Sequence, residues 1–268
     1  MRILEGQSGA VFGTTVREYF YTTPALRLRL DLVREYVLDG MAPVLVSGDP
    51  GAGKSAFLDQ IVRRADSCWR LVRVPAFASF SPSEVLSYLN TELRLPISDS
   101  SDSLIGELDQ YLEKIAVRGR IAVIAIDDAH ELADASLARL VTLSETLRSA
   151  NFRLLMTGLP ALRSRLTALL ADMRASVRPH VVTIPSLSDR EVANYIDMKL
   201  YHAGVDGRGI FSRRVIDDIA HVSHGFPGRI DTMTRALLSG NRSSPTRRWT
   251  ADRFRQLVGR LTDSGAAR

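Results

Sequence analysis

Gly48-Asp49-Pro50-Gly51-Ala52-Gly53-Lys54-Ser55 constrains this chain more than any other stretch. Gly48, Gly53, Lys54 and Ser55 fall on the spacing G-x-x-x-x-G-K-[ST]. The apolar run Val44-Leu45-Val46-Ser47 leads in. Ala56-Phe57-Leu58-Asp59-Gln60-Ile61-Val62 leads out with helical spacing, so the motif stands between a strand and a helix. Glycines let a backbone turn around an anion, and successive N–H groups at a helix N-terminus then point at it. At average residue usage four fixed positions coincide by chance in about one chain in a hundred of this length. The strand-loop-helix context makes accident rarer. Gly48, Asp49, Pro50, Gly51, Ala52, Gly53, Lys54, Ser55 and Ala56 are therefore expected to enclose the phosphates of ATP. Lys54 would reach the β- and γ-phosphates, and the Ser55 hydroxyl would sit on Mg²⁺.

The 268 residues suffice for one large domain and a smaller one. Cys68 is the only cysteine, so no intrachain disulfide can form, which suits a reducing compartment. No apolar stretch approaches the roughly 20 residues that cross a bilayer, and Met1-Arg2-Ile3-Leu4-Glu5-Gly6 lacks a signal-peptide core. A cytoplasmic chain without its own membrane span is the expectation. Lysine stands only at 54, 114 and 199, so nearly all 35 basic residues behind the net charge of +5 are arginine. A base bias of the genome explains such an excess. Arginine also favours phosphate contacts, which leaves nucleic acid open as a partner.

Along the chain, Pro24 opens a helix that Gly40 stops, and Pro43 precedes the first strand. Strands are expected at 70–74, 121–126, 152–157 and 181–184 besides the one before the loop. Ser81-Pro82-Ser83-Glu84 reads as a capping box for a helix to about Leu93, and a polar link from Ser98 caps another from Leu104 to about Val117. Further helices are expected from about Asp134 to Ser149 and after Pro160. Strands alternating with helices argue for a parallel, layered α/β sheet. After Pro185 the pattern turns helical: a second capping box at Ser188-Asp189-Arg190-Glu191, then starts at Ser212, Pro227 and Thr250, with a linker at 240–245. The expected domains are an N-terminal arm (1–22), a nucleotide-binding α/β domain (23–186) and a helical lid (187–268).

Ile121 to Ile126 is the most apolar run, fit for a strand buried on both faces, and it ends in Asp127-Asp128-Ala129-His130. An acid at that strand end would hold Mg²⁺ through water, and the second acid would orient and deprotonate the attacking water. The plainer alternative is that both acids cap the next helix. For His130 a solvated or loop-bonded role outweighs a catalytic one.

With these residues in place, the chain resembles the AAA+ ATPases: phosphate loop, second acidic strand, Thr157 at the tip of the next strand, and a trailing helical lid. More narrowly, "DDAH", "FRLLMTGLPALRSRL", "VRPHVVTIPSLSDREVANYI" and "GFPGRID" are similar to the ExeA/GspA, MshM and DamX group, and "YFYTTPALRLRLDLVREYV" to its DamX-like branch. Transposon and phage target-selection ATPases of the TniB/MuB kind share that core. The resemblance runs from about Tyr19 to Leu261. It implies a P-loop NTPase with a five-stranded parallel sheet sandwiched by helices, followed by a small all-α lid. It also implies ATP hydrolysis, a homo-oligomer, and work at a bacterial envelope machine of secretion, pilus or division, with DNA-directed ATPase action as the alternative.

By the same resemblance Thr157 takes the sensor-1 place and Arg229 the sensor-2 region. Arg178 is the candidate finger toward a neighbouring subunit's γ-phosphate, with Arg174 as rival. The expected catalytic set is thus Asp128, Lys54, Arg178 and Thr157, with Ser55 and Asp127 on the metal. Two departures stand out. Asp128 replaces the usual Glu, and its carboxylate is one methylene shorter; displacement of about 1 Å can cost on the order of a hundredfold in rate, so slow hydrolysis is expected. The usual G-x-P-R is here Gly225-Phe226-Pro227-Gly228-Arg229, which turns the arginine by about 100° on a helix. The relatives often carry a membrane span and a peptidoglycan-binding domain after the ATPase. This sequence ends without them, so a membrane-anchored envelope partner or a longer chain is expected. The arginines at 163, 165, 174 and 178 are the residues that would favour DNA.

Overall fold

A computed structural model describes residues 20–40, 42–77, 79–96, 100–147, 151–172, 178–204 and 210–240. Two compact units divide it. One comprises Pro24–Asp49 with Lys54–Ile184; the other gathers Pro50–Gly53 with the chain up to Thr23 and from Pro185 onward.

The first unit is built on five strands: β1 (Val44–Ser47), β2 (Trp69–Val74), β3 (Ile121–Ile126), β4 (Phe152–Gly158) and β5 (His180–Thr183). Their order is β2-β3-β4-β1-β5 and every neighbouring pair is parallel. Parallel strands need crossovers, and the chain supplies helices for them. These are α2 (Lys54–Arg63), α3 (Pro82–Glu92), α4 (Ser101–Ala116), α5 (Asp134–Thr146) and α6 (Ala161–Asp172), with α1 (Pro24–Asp39) standing ahead of β1. From Ala122 to Ile126 every residue of β3 is buried, as an unbroken apolar run requires of a strand covered on both faces. Leu45, Val72, Ile124, Leu154 and Met156 pack with Leu86, Leu89, Leu108, Leu112 and Leu140 from the helices. Each such leucine contributes about 1.5–3 kcal/mol when withdrawn from water. The expected parallel α/β architecture is the observed one.

Local signals hold where side chains can satisfy backbone. Ser81 Oγ accepts from the Glu84 N–H, and the Glu84 carboxylate accepts from the Ser81 N–H at 2.8 Å, which closes the capping box of α3. This bonding holds the exposed Glu84 carboxyl below its ordinary range. Helix α4 begins at Ser101, three residues before the expected start. First-turn N–H groups lack intrahelical partners anyway, so Ser101, Asp102 and Ser103 enter without penalty, and Asp102 suits the positive end of the helix dipole. Strand β5 starts at His180, whose N–H donates to the Pro43 carbonyl, one residue ahead of the expected Val181.

In the second unit, α7 (Asp189–His202), α8 (Arg213–Ser223) and α9 (Pro227–Gly240) bury Val192, Ile196, Leu200, Val215, Ile219, Ile230 and Leu237 together. Gly225 has φ 72°, and a Cβ there would lie 2.0 Å from the Leu187 carbonyl oxygen, so no other residue fits that crossing. Inside this bundle the Tyr195 hydroxyl donates to Asp231 Oδ1 at 2.9 Å and Lys199 Nζ to Oδ2 at 3.0 Å. Burial pushes the Asp231 carboxyl above its ordinary range, opposed by the Lys199 charge and then by the hydrogen bonds. Burial, reinforced by the Asp231 charge, likewise pushes the Tyr195 hydroxyl up. Among the described residues no helix is long and apolar enough to cross a membrane. The arm up to residue 19, Arg174, the linker beyond residue 240 and the last short helix after Thr250 lie outside the described residues.

Lys199→Met would take the nearest positive charge from the buried Asp231 carboxylate, leaving the Tyr195 hydroxyl and the weaker influence of Arg235, at a cost of about 3 kcal/mol. A raised folded-state pKa favours the protonated carboxyl in the native bundle. The penalty should therefore grow as pH climbs through and above the ordinary carboxylate range, and fade below about pH 4. Amide exchange of α7 and α9, followed against pH, measures it.

Candidate nucleotide-binding site

The phosphate loop leaves β1 at its C-terminal end and runs directly into α2. Gly51 and Gly53 hold φ of 81° and 89°, the left-handed backbone that bends the loop back on itself. Lys54 begins α2 and is buried. Its ammonium donates to the Gly48 carbonyl at 3.0 Å and the Asp49 carbonyl at 3.2 Å. A lysine can be buried without a carboxylate only when its donors are met, and here the loop's own carbonyls meet two of them. Ser55 and Ala56 follow in the exposed first turn, where free N–H groups and the helix dipole favour an anion.

The second unit contains Gly51, and there the Gly228 N–H donates to the Gly51 carbonyl at 2.9 Å. A Cβ on Gly228 would come within 2.9 Å of Gly51 Cα. The residue that displaces Arg229 by one place is thus what lets two backbones touch. Arg229 lies next to this contact with its guanidinium over the Phe226 ring, 5.1 Å from the centroid.

At the C-terminal end of β3 the two acids diverge. The Thr157 hydroxyl, wholly buried on β4, donates to Asp127 Oδ1 at 2.6 Å and accepts the Asp128 N–H at 2.9 Å. The β3–β4 pairing stops at Ile126 and Met156, so Thr157 continues the ladder by one side-chain rung. Asp128 then turns into the left-handed region, φ 51° and ψ 43°, before a short 3₁₀ turn at Ala129–Glu131. Short polar side chains tolerate that backbone best, which gives a local reason for Asp where a longer acid would otherwise serve. Asp128 makes no side-chain cap of that turn and stays half-exposed, so the capping alternative does not describe it.

Arg165 of α6 holds the loop beyond. Its guanidinium donates to the His130 carbonyl at 2.9 Å, to the Leu132 carbonyl at 2.9 Å and to Asp134 at 2.5–3.0 Å. An arginine counted from the sequence as a DNA contact is consumed inside the protein, because three acceptors converge on its planar fork. The His130 ring lies 3.2 Å from Glu131 and 3.8 Å from Asp128, with its Nδ1 buried and without a hydrogen-bond partner among the described residues. Arg163 and Arg178 are exposed.

The candidate metal donors, the Ser55 hydroxyl and the Asp127 and Asp128 carboxylates, are oxygens, the chemistry of a hard divalent cation. Among the described residues no group of three or more His, Cys, Asp or Glu could cage a metal. Strand β4 intervenes between β1 and β3, so their ends are about 10 Å apart.

A parallel sheet whose first strand opens into a phosphate loop, with acids on a strand two places away, defines a P-loop nucleotide-binding protein of the AAA+ fold. Residues 39–166 match the family model described as an AAA domain. No curated protein sequence matches the chain. Among solved structures, Cdc6p from Pyrobaculum aerophilum is similar at TM-score 0.63 and 17% identity, over 87% of this chain and 66% of that one. The ORC2 protein of Aeropyrum pernix, in ADPNP-ADP complexes, gives 0.60 and 15% over 93% and 71%. The ORC1 protein of the same organism, in complex with DNA, gives 0.60 and 16% over 94% and 68%. The chain spans about two thirds of the length of these proteins, and at such identities the likeness is one of fold.

Thr157→Val keeps shape but removes the hydroxyl, leaving the Asp128 N–H and Asp127 Oδ1 without their shared partner. A loss of about 2 kcal/mol in urea unfolding is expected, and Thr157→Ser should recover most of it.

Proposed function

We propose that this protein binds and slowly hydrolyses ATP with Mg²⁺, and that nucleotide drives it to assemble with copies of itself. The observation that carries the reading is the phosphate loop with Lys54 seated on its carbonyls, set beside an acid pair organised by Thr157. Residues 48–56 enclose the triphosphate, and Ser55 with Asp127 holds the magnesium through oxygen and water. Bound Mg²⁺ neutralises charge on the phosphates. Asp128, half-exposed at the strand end, orients the attacking water. Thr157 fixes Asp127, and Lys54 and Arg229 contact phosphate. The short Asp128 side chain favours a slow switch over a fast motor.

Arg178 stands exposed just before β5, with no hydrogen bond or ion pair among the described residues, and is the arginine that reaches a neighbour's γ-phosphate. The domains that follow from this reading are an arm (1–22), the nucleotide domain (23–186) and a helical lid (187–268). By the sequence's similarity to the ExeA, MshM and DamX group, the switch would govern assembly of a bacterial envelope machine from the cytoplasmic side, through a membrane-anchored partner. A second reading, action on DNA, is favoured by the likeness of fold to an ORC1 protein in complex with DNA and by the isoelectric point near 9.6. Duplex binding that weakens steeply with salt would select it.

Phosphate release should rise more than linearly with protein concentration. Lys54→Ala should abolish it and remove the heat of ATP binding in calorimetry. Arg178→Ala should flatten the concentration dependence, with turnover falling about 10³-fold or more if the arginine acts between subunits. Unchanged cooperativity in that variant would remove Arg178 from this role.

A further inference from the structure

Arg73, on β2, lies between two carboxylates from different elements. Its Nη1 is 2.5 Å from Asp59 Oδ1, and its Nη2 is 3.7 Å from Asp127 Oδ2. Asp59 belongs to α2, four residues beyond Ser55 and therefore on the same helix face. The pairing of β2 with β3, Arg73 opposite Ala125 and Val74 opposite Ile126, carries the arginine to the strand end where Asp127 begins. Thr157 takes Asp127 Oδ1. Oδ2 receives no hydrogen bond among the described residues and faces only this guanidinium.

A fixed positive charge beside a metal-binding carboxylate weakens that carboxylate's hold on a divalent cation. How much it weakens depends on where the guanidinium rests. Asp59 draws it to the α2 side at hydrogen-bond distance, and Asp127 gets the longer contact. Resting on the nucleotide-and-magnesium reading above, we propose that Arg73 sets the magnesium requirement of nucleotide binding. Its charge competes with the cation at Asp127, and Asp59 limits the competition by holding the guanidinium away. Arg73 is a positioning and tuning residue; it touches neither phosphate nor water in this scheme.

Opposite signs from the two partners make the proposal testable. Equilibrium binding of a fluorescent ATP analogue is followed as Mg²⁺ is raised from an EDTA-buffered start, and the Mg²⁺ concentration giving half of the affinity gain is read. Arg73→Gln should lower it about three- to tenfold, because the carboxylate loses its competitor, while Asp59→Asn should raise it by a similar factor, because the freed guanidinium settles on Asp127. Arg73→Lys keeps the charge and should stay near wild type, a check that the position tolerates change. Arg70→Gln, exposed at the far end of the same strand, should move nothing. If the wild type responds to magnesium but Arg73→Gln and Asp59→Asn shift the same way, or neither shifts, the inference fails while the metal reading stands. A wild type whose affinity ignores magnesium overturns both.

Discussion

The buried hydroxyl of Thr157 is the interaction on which the site's chemistry hangs. It ties one carboxylate oxygen of Asp127 to the backbone of Asp128 and so ends β3 with two acids in different surroundings. A left-handed Asp costs on the order of 1–3 kcal/mol and survives only when its surroundings over-determine it. Three features do so here. Thr157 receives the Asp128 N–H, the Glu131 N–H returns to the Asp128 carbonyl at 2.9 Å, and Arg165 clamps the carbonyls that follow. Strain of this kind holds the second carboxylate out toward solvent instead of letting it fold back as a cap.

Sheet order supplies the second constraint. Because β4 separates β1 from β3, the loop and the acids end up on one edge with a strand of clearance between them. The same order places β2 at the rim beside β3, which is what brings Arg73 of β2 to Asp127.

Much of this was readable in the sequence because it is local. The phosphate loop, both capping boxes and the apolar run of β3 are each written within eight consecutive residues, and their backbone consequences follow from the residues themselves. Arg165 was not legible: in a chain so rich in arginine, nothing marks one that turns inward onto a loop more than thirty residues earlier. Arg73 and Asp59 were hidden for the same reason, since their meeting with Asp127 depends on which strands lie side by side. Helix α4 started early because first-turn backbone makes few demands, a freedom that side-chain patterns do not register. Gly228 read from the sequence only as a displacement of Arg229; its close approach to Gly51 belongs to tertiary contact.

Lys54 offers a last consequence. With its ammonium lodged on the carbonyls of Gly48 and Asp49, Lys54 cross-links the start of the loop to the first turn of α2. Any anion seated there would meet a scaffold whose ordering entropy was spent during folding, and would have only to exchange partners with one side chain.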